Sequence, residues 1–90
     1  MYKITNVTDR QGNVKRDFID EIKELHPDLR GKIINQGDLR SNLFLCNLCF
    51  VWADEPDRML RTSTVLDYVE DGDKIIATTM NSVYTFEKEF

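Results

Sequence analysis

The sequence predicts a small α+β fold, mainly antiparallel β, in which one helix accompanies a curled sheet or a small barrel. One segment shows the apolar period of a helix, whereas most of the remaining chain divides into short runs rich in β-branched and aromatic residues. The connections between these runs are short, which favours antiparallel pairing. The chain of 90 residues, without an internal repeat or a linker, corresponds to a single domain over residues 1–90.

The first predicted strand covers residues 2–8, which are rich in β-forming side chains. Asp, Asn and Gly follow at residues 9–13 and are typical of a turn, because Asp and Asn bond the local backbone and Gly accepts positive φ. The same turn also permits a hairpin between residues 2–8 and 14–19. This hairpin stays open as an alternative to the helix described next.

The helical segment is defined by its apolar spacing. Phe18, Ile22 and Leu25 recur three and four residues apart, and charged residues occupy most of the positions between them. This spacing predicts a helix over residues 15–25. Pro27 limits the helix, because the residue before a proline avoids the helical conformation.

Further strands are predicted after the helix, at residues 32–35, 41–53, 59–69, 74–80 and 83–88. Residues 41–53 carry apolar side chains on both faces, as expected of a central strand. The turns Asp71-Gly72-Asp73 and Asn81-Ser82 join the last three strands into a meander over residues 59–88. With one helix, this order of elements predicts an SH3-like barrel, and flat α+β packing is the alternative.

Composition and charge exclude several classes of protein. The chain carries 12 Lys and Arg against 16 Asp and Glu, and its net charge of −4 disfavours a general nucleic-acid coat. Two cysteines are too few for a disulfide-stapled secreted scaffold. No apolar run reaches the roughly 18 residues of a membrane span, and the start Met1-Tyr2-Lys3 lacks the apolar stretch of a signal peptide. We therefore expect a soluble cytoplasmic protein without a membrane partner.

The negative charge is concentrated in residues 46–90, which carry four basic and nine acidic side chains. The acids form two clusters, Asp54, Glu55 and Asp57, and then Asp67, Glu70, Asp71 and Asp73. Solvated loop residues account for such clusters. The same side chains are also the candidate partner-binding residues, because a negative patch attracts a basic partner.

Cys46 and Cys49 have the C-x-x-C spacing that can bind zinc or cycle as a dithiol. In an extended strand, however, residues i and i+3 point to opposite faces, so the two sulfur atoms do not converge on one ion. We therefore predict two buried cysteines in the core strand and no cofactor. A metal site at Cys46 and Cys49 is the minor alternative.

The sequence brings together no recognisable set of catalytic residues. His26 is the one histidine, and a histidine base needs a nucleophile and an orienting acid that the sequence does not locate. We predict instead that His26 lies at the helix end and interacts with the last carbonyls. The four glycines are isolated at turns and form no phosphate-binding loop. The protein is therefore predicted not to be an enzyme.

A nucleic-acid-binding barrel is retained as an alternative, because small barrels combine aromatic stacking with cationic grooves. The chain offers three arginines and three tyrosines for such a face: Arg40, Arg58 and Arg61 with Tyr2, Tyr68 and Tyr84. The neighbouring acids cancel most of the positive field, so nucleic acid is an unfavoured partner.

Three stretches near the C-terminus form a combined pattern: Leu60 to Val65, Gly72 to Thr79, and Asn81 to Phe86. The pattern resembles the R-T-S-x-V strand and T-x-N-S-x-Y hairpin of small uncharacterised proteins encoded by bacteria, phages and other mobile elements. The resemblance implies an SH3-like or related β domain and brings no established activity. Within the pattern, Thr62 and Ser63 are expected to hydrogen-bond across strands, and Tyr84 is expected to face the core.

These observations predict a small intracellular module for protein interaction, and the resemblance implies that a phage or other mobile element encodes it. One alternative is an acidic inhibitor that mimics nucleic acid toward a host nucleic-acid-binding machine, which requires both acidic clusters on one face. The direct nucleic-acid-binding barrel is the other alternative. Exposed edge strands and nine aromatic residues also predict self-association into a homodimer.

Overall fold

The computed structural model describes residues 1–34 and 47–89. In chain order its elements are β1 (Tyr2–Thr8), α1 (Arg16–Leu25), β2 (Arg30–Ile34), β3 (Asn47–Trp52), β4 (Met59–Asp71), β5 (Lys74–Thr79) and β6 (Val83–Lys88). Residue 35 and the first part of the predicted strand 41–53 lie outside the described residues. No helix in the described ranges has the length and apolar character needed to cross a membrane.

The six strands form a closed barrel in which each strand pairs antiparallel with its neighbours in the sequence, and β6 pairs with β1. This confirms the predicted fold, a small and mainly antiparallel SH3-like barrel with one helix. Each described strand has a neighbour on both sides. Closure therefore removes the exposed edges on which the expectation of self-association rested.

Strand β4 takes part in two sheets. Its first part pairs with β3 as far as Thr64, and its second part pairs with β5 from Val65 onward. In both pairings β4 carries one extra residue relative to its partner, and such bulges bend a strand. The barrel thus consists of a first sheet, β2-β3-β4, and a second sheet, β4-β5-β6-β1, which share the bent strand.

The core fills the interior between the two sheets. Phe50 of β3 and Phe86 of β6 are fully buried, and their rings stack with centroids 5.3 Å apart. Leu48 and Trp52 point inward from β3 with Phe50, as the alternation of a strand requires. The remaining buried apolar members of this cluster are Ile4, Val7, Ile22, Val65, Ile75, Ala77 and Tyr84.

The helix predicted over residues 15–25 is present as α1. Asp17 in its first turn and Lys23 in its last turn complement the helix dipole. The alternative hairpin is not formed, because α1 occupies the second segment and only an isolated bridge joins Thr8 to Val14. The apolar spacing of this segment therefore predicted its structure correctly, whereas the hairpin permitted by the turn at residues 9–13 is absent.

Helix α1 lies across one end of the barrel and is attached at both of its ends. Just before the helix, the Lys15 ammonium donates a hydrogen bond of 2.6 Å to the Ser82 hydroxyl in the β5–β6 connection. Just after it, His26 is hydrogen-bonded to Asp54 in the β3–β4 connection. Ile22 projects from the middle of the helix into the core. The helix therefore closes this end of the barrel.

The turn after β1 is organised by Asp9. Its carboxylate accepts hydrogen bonds from the backbone N–H groups of Gln11 (2.8 Å) and Asn13 (2.9 Å) and from the Asn13 side chain (3.1 Å). These bonds, those from Asn13 above all, favour the charged form and hold the pKa of Asp9 below its usual value. Gly12 supplies the positive φ (94°) of this turn, and Gly72 (61°) does so in the predicted turn between β4 and β5.

Candidate functional site

A groove of about 230 Å³ lies between α1 and the corner where β3 leads into β4. Apolar side chains from both elements line it: Phe18, Ile22 and Leu25 from the helix, and Trp52, Met59 and Leu60 from the strands. Leu25 and Met59 are 52% and 54% exposed, and they form the lips of the groove. The apolar stripe of the helix, which predicted a core-facing surface, therefore ends in a residue that faces solvent.

His26 forms the polar part of the groove floor and is only 4% exposed. Its Nδ1–H donates a hydrogen bond to Oδ1 of Asp54 at 2.9 Å, and Oε1 of Glu55 lies 4.0 Å from the same nitrogen. The prediction that the His26 side chain interacts with the last helix carbonyls is therefore wrong, because its Nδ1 is bonded to Asp54 instead. It is the backbone N–H of His26 that reaches the Ile22 carbonyl, at 2.7 Å.

The His26 ring stacks on Trp52, with ring centroids 3.9 Å apart and planes 4° from parallel. Trp52 in turn meets Phe50 edge to face, with centroids 5.1 Å apart. Such aromatic pairs fix the orientation of both rings. The groove floor is therefore continuous with the packed core.

Acidic side chains lie on both sides of the groove, Glu21 on α1 and Asp54 and Glu55 beside His26. On α1, Asp17, Glu21 and Glu24 follow one another at helical spacing, and Glu21 lines the groove directly. On the opposite side, Arg58 is the basic group at the groove, and its Nε donates to Oε2 of Glu55 at 3.0 Å. Because this ion pair compensates the charge of Arg58, the remaining charge beside the groove comes from Glu21 and Asp54.

The structure separates the acidic residues that were predicted to bind a partner. Asp54, Glu55 and Asp57 lie in the connection before β4, beside the groove. The second cluster, Asp67, Glu70, Asp71 and Asp73, lies in the last part of β4 and in the turn that follows. The clusters thus lie toward opposite ends of a strand of 13 residues. They do not supply the single face that the acidic-inhibitor alternative requires.

The two cysteines of the C-x-x-C spacing are not both described. Cys49 is a buried free thiol on β3, as predicted, whereas Cys46 lies outside the described residues. Within residues 1–34 and 47–89, no group of three or more His, Cys, Asp or Glu side chains is arranged to hold a metal ion. The groove is therefore the better candidate site in this part of the chain.

The tyrosines considered for nucleic-acid stacking belong to the core instead. Tyr84 is buried and stacks on Phe86, and Tyr2 and Tyr68 pack partly buried against the same cluster. Of the arginines considered with them, Arg40 lies outside the described residues, and Arg58 is engaged at the groove. An exposed row of stacking rings, which binding to single strands requires, is not formed by these tyrosines.

The residues of the C-terminal pattern hold the bend of β4 in place. The Thr62 hydroxyl accepts a hydrogen bond from the backbone N–H of Leu48 at 3.0 Å, which ties β4 to β3. The Ser63 hydroxyl accepts one from the backbone N–H of Asn81 at 3.3 Å, which ties β4 to the β5–β6 connection. The expected hydrogen bonds are therefore present, and they give Thr62 and Ser63 a structural role in the barrel.

Burial raises the pKa of Tyr84 above its usual value of 10.0, and a hydrogen bond with the Ser82 side chain offsets part of this rise. The folded state then binds the phenol proton more tightly than the unfolded chain does. The corresponding stability is complete below pH 10.0 and is lost as the pH rises through the folded-state pKa.

We expect the free energy of unfolding of the wild type to fall more steeply above that pH than that of Tyr84→Phe. Urea denaturation at a series of alkaline pH values measures both slopes. Because the other tyrosines and the lysines titrate in both proteins, the difference between the slopes isolates Tyr84. Equal slopes would contradict the expectation.

Sequence reasoning missed the groove because its parts come from distant segments. His26 and Trp52 stack only after β2 and β3 have paired, and the exposure of Leu25 and Met59 depends on where the barrel ends. One signal was available in the sequence. The apolar stripe of α1 runs into the final turn of the helix, beyond the core position Ile22.

The fold and the site together define a small closed barrel, capped at one end by a helix and carrying an apolar groove with an acidic border. Comparisons with protein-family models, with curated proteins and with solved structures found no match to the chain.

Proposed function

We propose that the protein is a non-enzymatic interaction module that binds a basic segment of a partner protein, with one large apolar side chain of that segment seated in the groove. The observation that carries this proposal is the combination of an apolar floor with acidic borders. An intracellular location and an origin in a phage or other mobile element belong to the same proposal. They rest on composition and on the sequence resemblance.

The size of the groove favours a side chain over a whole small molecule as the occupant. Ligand pockets commonly measure about 300–1,000 Å³ and bury most of the ligand. The groove measures about 230 Å³ and is open at the lips formed by Leu25 and Met59. Interfaces between proteins are often anchored by single large side chains in pockets of this kind.

The charges of the groove favour a basic partner. Glu21 and its helical neighbours on one side and the Asp54–Asp57 connection on the other both attract Lys or Arg that flank an apolar anchor. Because these acids are exposed, their contribution declines with salt. The apolar anchor gives binding that salt affects little. We therefore expect the affinity to have two components, one from the acids that declines with salt and one from the apolar anchor that does not.

A library of random linear peptides displayed on a carrier tests the proposal directly. We expect the retained peptides to combine a large apolar residue with flanking Lys or Arg. Binding of a retained peptide to Met59→Glu is expected to be weaker by roughly tenfold or more, as for an interface hot spot. Val69→Glu, which changes an exposed apolar residue of the second sheet, is the matched control and should bind as the wild type does.

A second variant separates the charge from the shape of the groove. Glu21→Gln keeps the size of the side chain and is expected to lower affinity at low salt but not at high salt. Retained peptides without basic residues would overturn the proposal. So would retained peptides that bind Met59→Glu as well as they bind the wild type.

A further inference from the structure

The outer surface of the second sheet carries apolar side chains that α1 does not cover. We define the outer sheet face by the residues Leu66, Val69, Ile76, Thr78, Met80 and Val83, and the exposed Asp67 lies on the same face opposite Thr78. Val69 lies opposite Ile76 in the β4–β5 pairing, and Thr78 lies opposite Val83 in the β5–β6 pairing. The three most exposed members, Leu66, Val69 and Met80, are 43–58% exposed. None of the six residues lines the groove.

A row of alternating charges crosses the same sheet next to these apolar residues. Asp71 on β4 lies opposite Lys74 on β5, Lys74 lies opposite Glu87 on β6, and Glu87 lies opposite Lys3 on β1. Across the four strands the row therefore reads minus, plus, minus, plus. Lys74 Nζ and Glu87 Oε1 are 3.8 Å apart. Both side chains remain about half exposed, so each can also form an ion pair with a charged group of a second molecule.

The order of the charges makes this row complementary to itself. A twofold axis parallel to the strands and midway between β5 and β6 places a second copy on the face with its row reversed. Lys74 then meets the second copy's Glu87, and Asp71 and Lys3 flank this central pair on the curved barrel surface. The contact between Lys74 and Glu87 occurs twice, as in an isologous interface, and the flanking charges Asp71 and Lys3 lie on the sides where the opposite sign is found on the second copy.

We propose that the outer sheet face is the interface of a twofold-symmetric homodimer of this chain. The apolar residues supply the area that is removed from water, and the charge row sets the direction of the axis. A partner with a uniformly charged surface fits this row poorly, because half of its contacts would be between like charges. The dimer forms face to face and needs no free strand edge, which the closed barrel does not offer.

Sedimentation velocity over a concentration series tests the dimer. We expect the wild type to pass from monomer to dimer as its concentration rises. Val69→Glu buries a charge in the interface, and Lys74→Glu places two like-charged pairs across the axis. Each is expected to raise the dissociation constant by roughly tenfold or more. Met59→Glu changes an exposed apolar residue of the groove and is the matched control that leaves the dimer unchanged.

Mixing two single variants tests the axis itself. Lys74→Glu and Glu87→Lys are each expected to remain monomeric, because like charges face each other in both homodimers. In the mixed dimer, position 74 of the Lys74→Glu chain meets position 87 of the Glu87→Lys chain, so a negative side chain faces a positive one. The second contact joins Glu87 of the first chain to Lys74 of the second, which also have opposite charges. We therefore expect the mixture to form a dimer although neither variant does so alone.

The mixture also excludes an effect on folding. The ion pair within each chain stays broken in the mixture, so a loss of dimer that arose from destabilised monomers would persist there. A wild type that stays monomeric over the whole series overturns the proposal. A dimer that is insensitive to Val69→Glu and Lys74→Glu, or a mixture that stays monomeric, overturns it as well.

Discussion

Replacing Phe50 by alanine is expected to lower the free energy of unfolding by about 3–5 kcal/mol, the range for a fully buried phenylalanine. The side chain of Phe50 is completely buried and joins the two sheets, because it stacks on Phe86 of the second sheet and meets Trp52 of the first edge to face. Its removal therefore loses apolar burial and leaves a cavity between the sheets. A domain of this size has roughly 5–13 kcal/mol of stability in total, so the variant is expected to be marginal.

Urea denaturation followed by tryptophan fluorescence measures this loss, and Trp52 is a suitable probe because it contacts Phe50. Val14→Ala is the matched control. It also truncates an apolar side chain, but at a position that is 46% exposed and lies outside the outer sheet face, and it is expected to change stability by less than about 0.5 kcal/mol. A Phe50→Ala variant as stable as the control would show that the two sheets pack without this side chain.

Gly31→Ala is expected to destabilise the barrel by about 3 kcal/mol, at the upper end of the usual effect of overpacking. Gly31 lies on β2 opposite Trp52 of β3, and it is buried. A Cβ atom at this position would lie 2.5 Å from Cε2 of Phe50 and would also meet the Val51 carbonyl oxygen. Because one of these obstacles is backbone, a change of side-chain rotamer alone does not make room.

A double variant separates the two obstacles at Gly31. Phe50→Leu relieves the contact with the ring but leaves the Val51 carbonyl oxygen in place. We therefore expect the double-mutant cycle to recover only part of the cost of Gly31→Ala. Lys32→Ala, the exposed neighbour on β2, controls for the strand itself. Full recovery in the cycle would mean that the backbone contact carries none of the effect.

The elements that could be predicted from the sequence are those with local signals. The period of Phe18, Ile22 and Leu25 located α1, and the Gly72 turn located the meander of β4, β5 and β6. The closure of the barrel carries no such signal, because β1 and β6 come from opposite ends of the chain. The bulges of β4 were missed for the same reason, since a bulge is defined only relative to a partner strand.

The candidate site shows the same limit. The sequence identified the Asp54, Glu55 and Asp57 cluster, and the structure places it beside the groove. It did not identify the stack of His26 on Trp52, which joins a helix end to a strand that follows much later. The acidic cluster could therefore be predicted from the sequence, because its residues are adjacent in the chain. The groove beside it could not, because its residues come together only when the strands pair.

The unequal pairing of β1 has a consequence for the kinetics of folding. This strand pairs with β6 at six positions but with β2 at only two, Tyr2 and Lys3. The contacts between β3, β4, β5 and β6 join neighbours in the sequence, so they close short loops, whereas the β1–β6 contacts close almost the whole chain. Contacts of high sequence separation are the slow ones to form. We therefore expect β1 to join the barrel late in folding, so that substitutions in β1 change the rate of unfolding more than the rate of folding when both rates are measured against denaturant concentration.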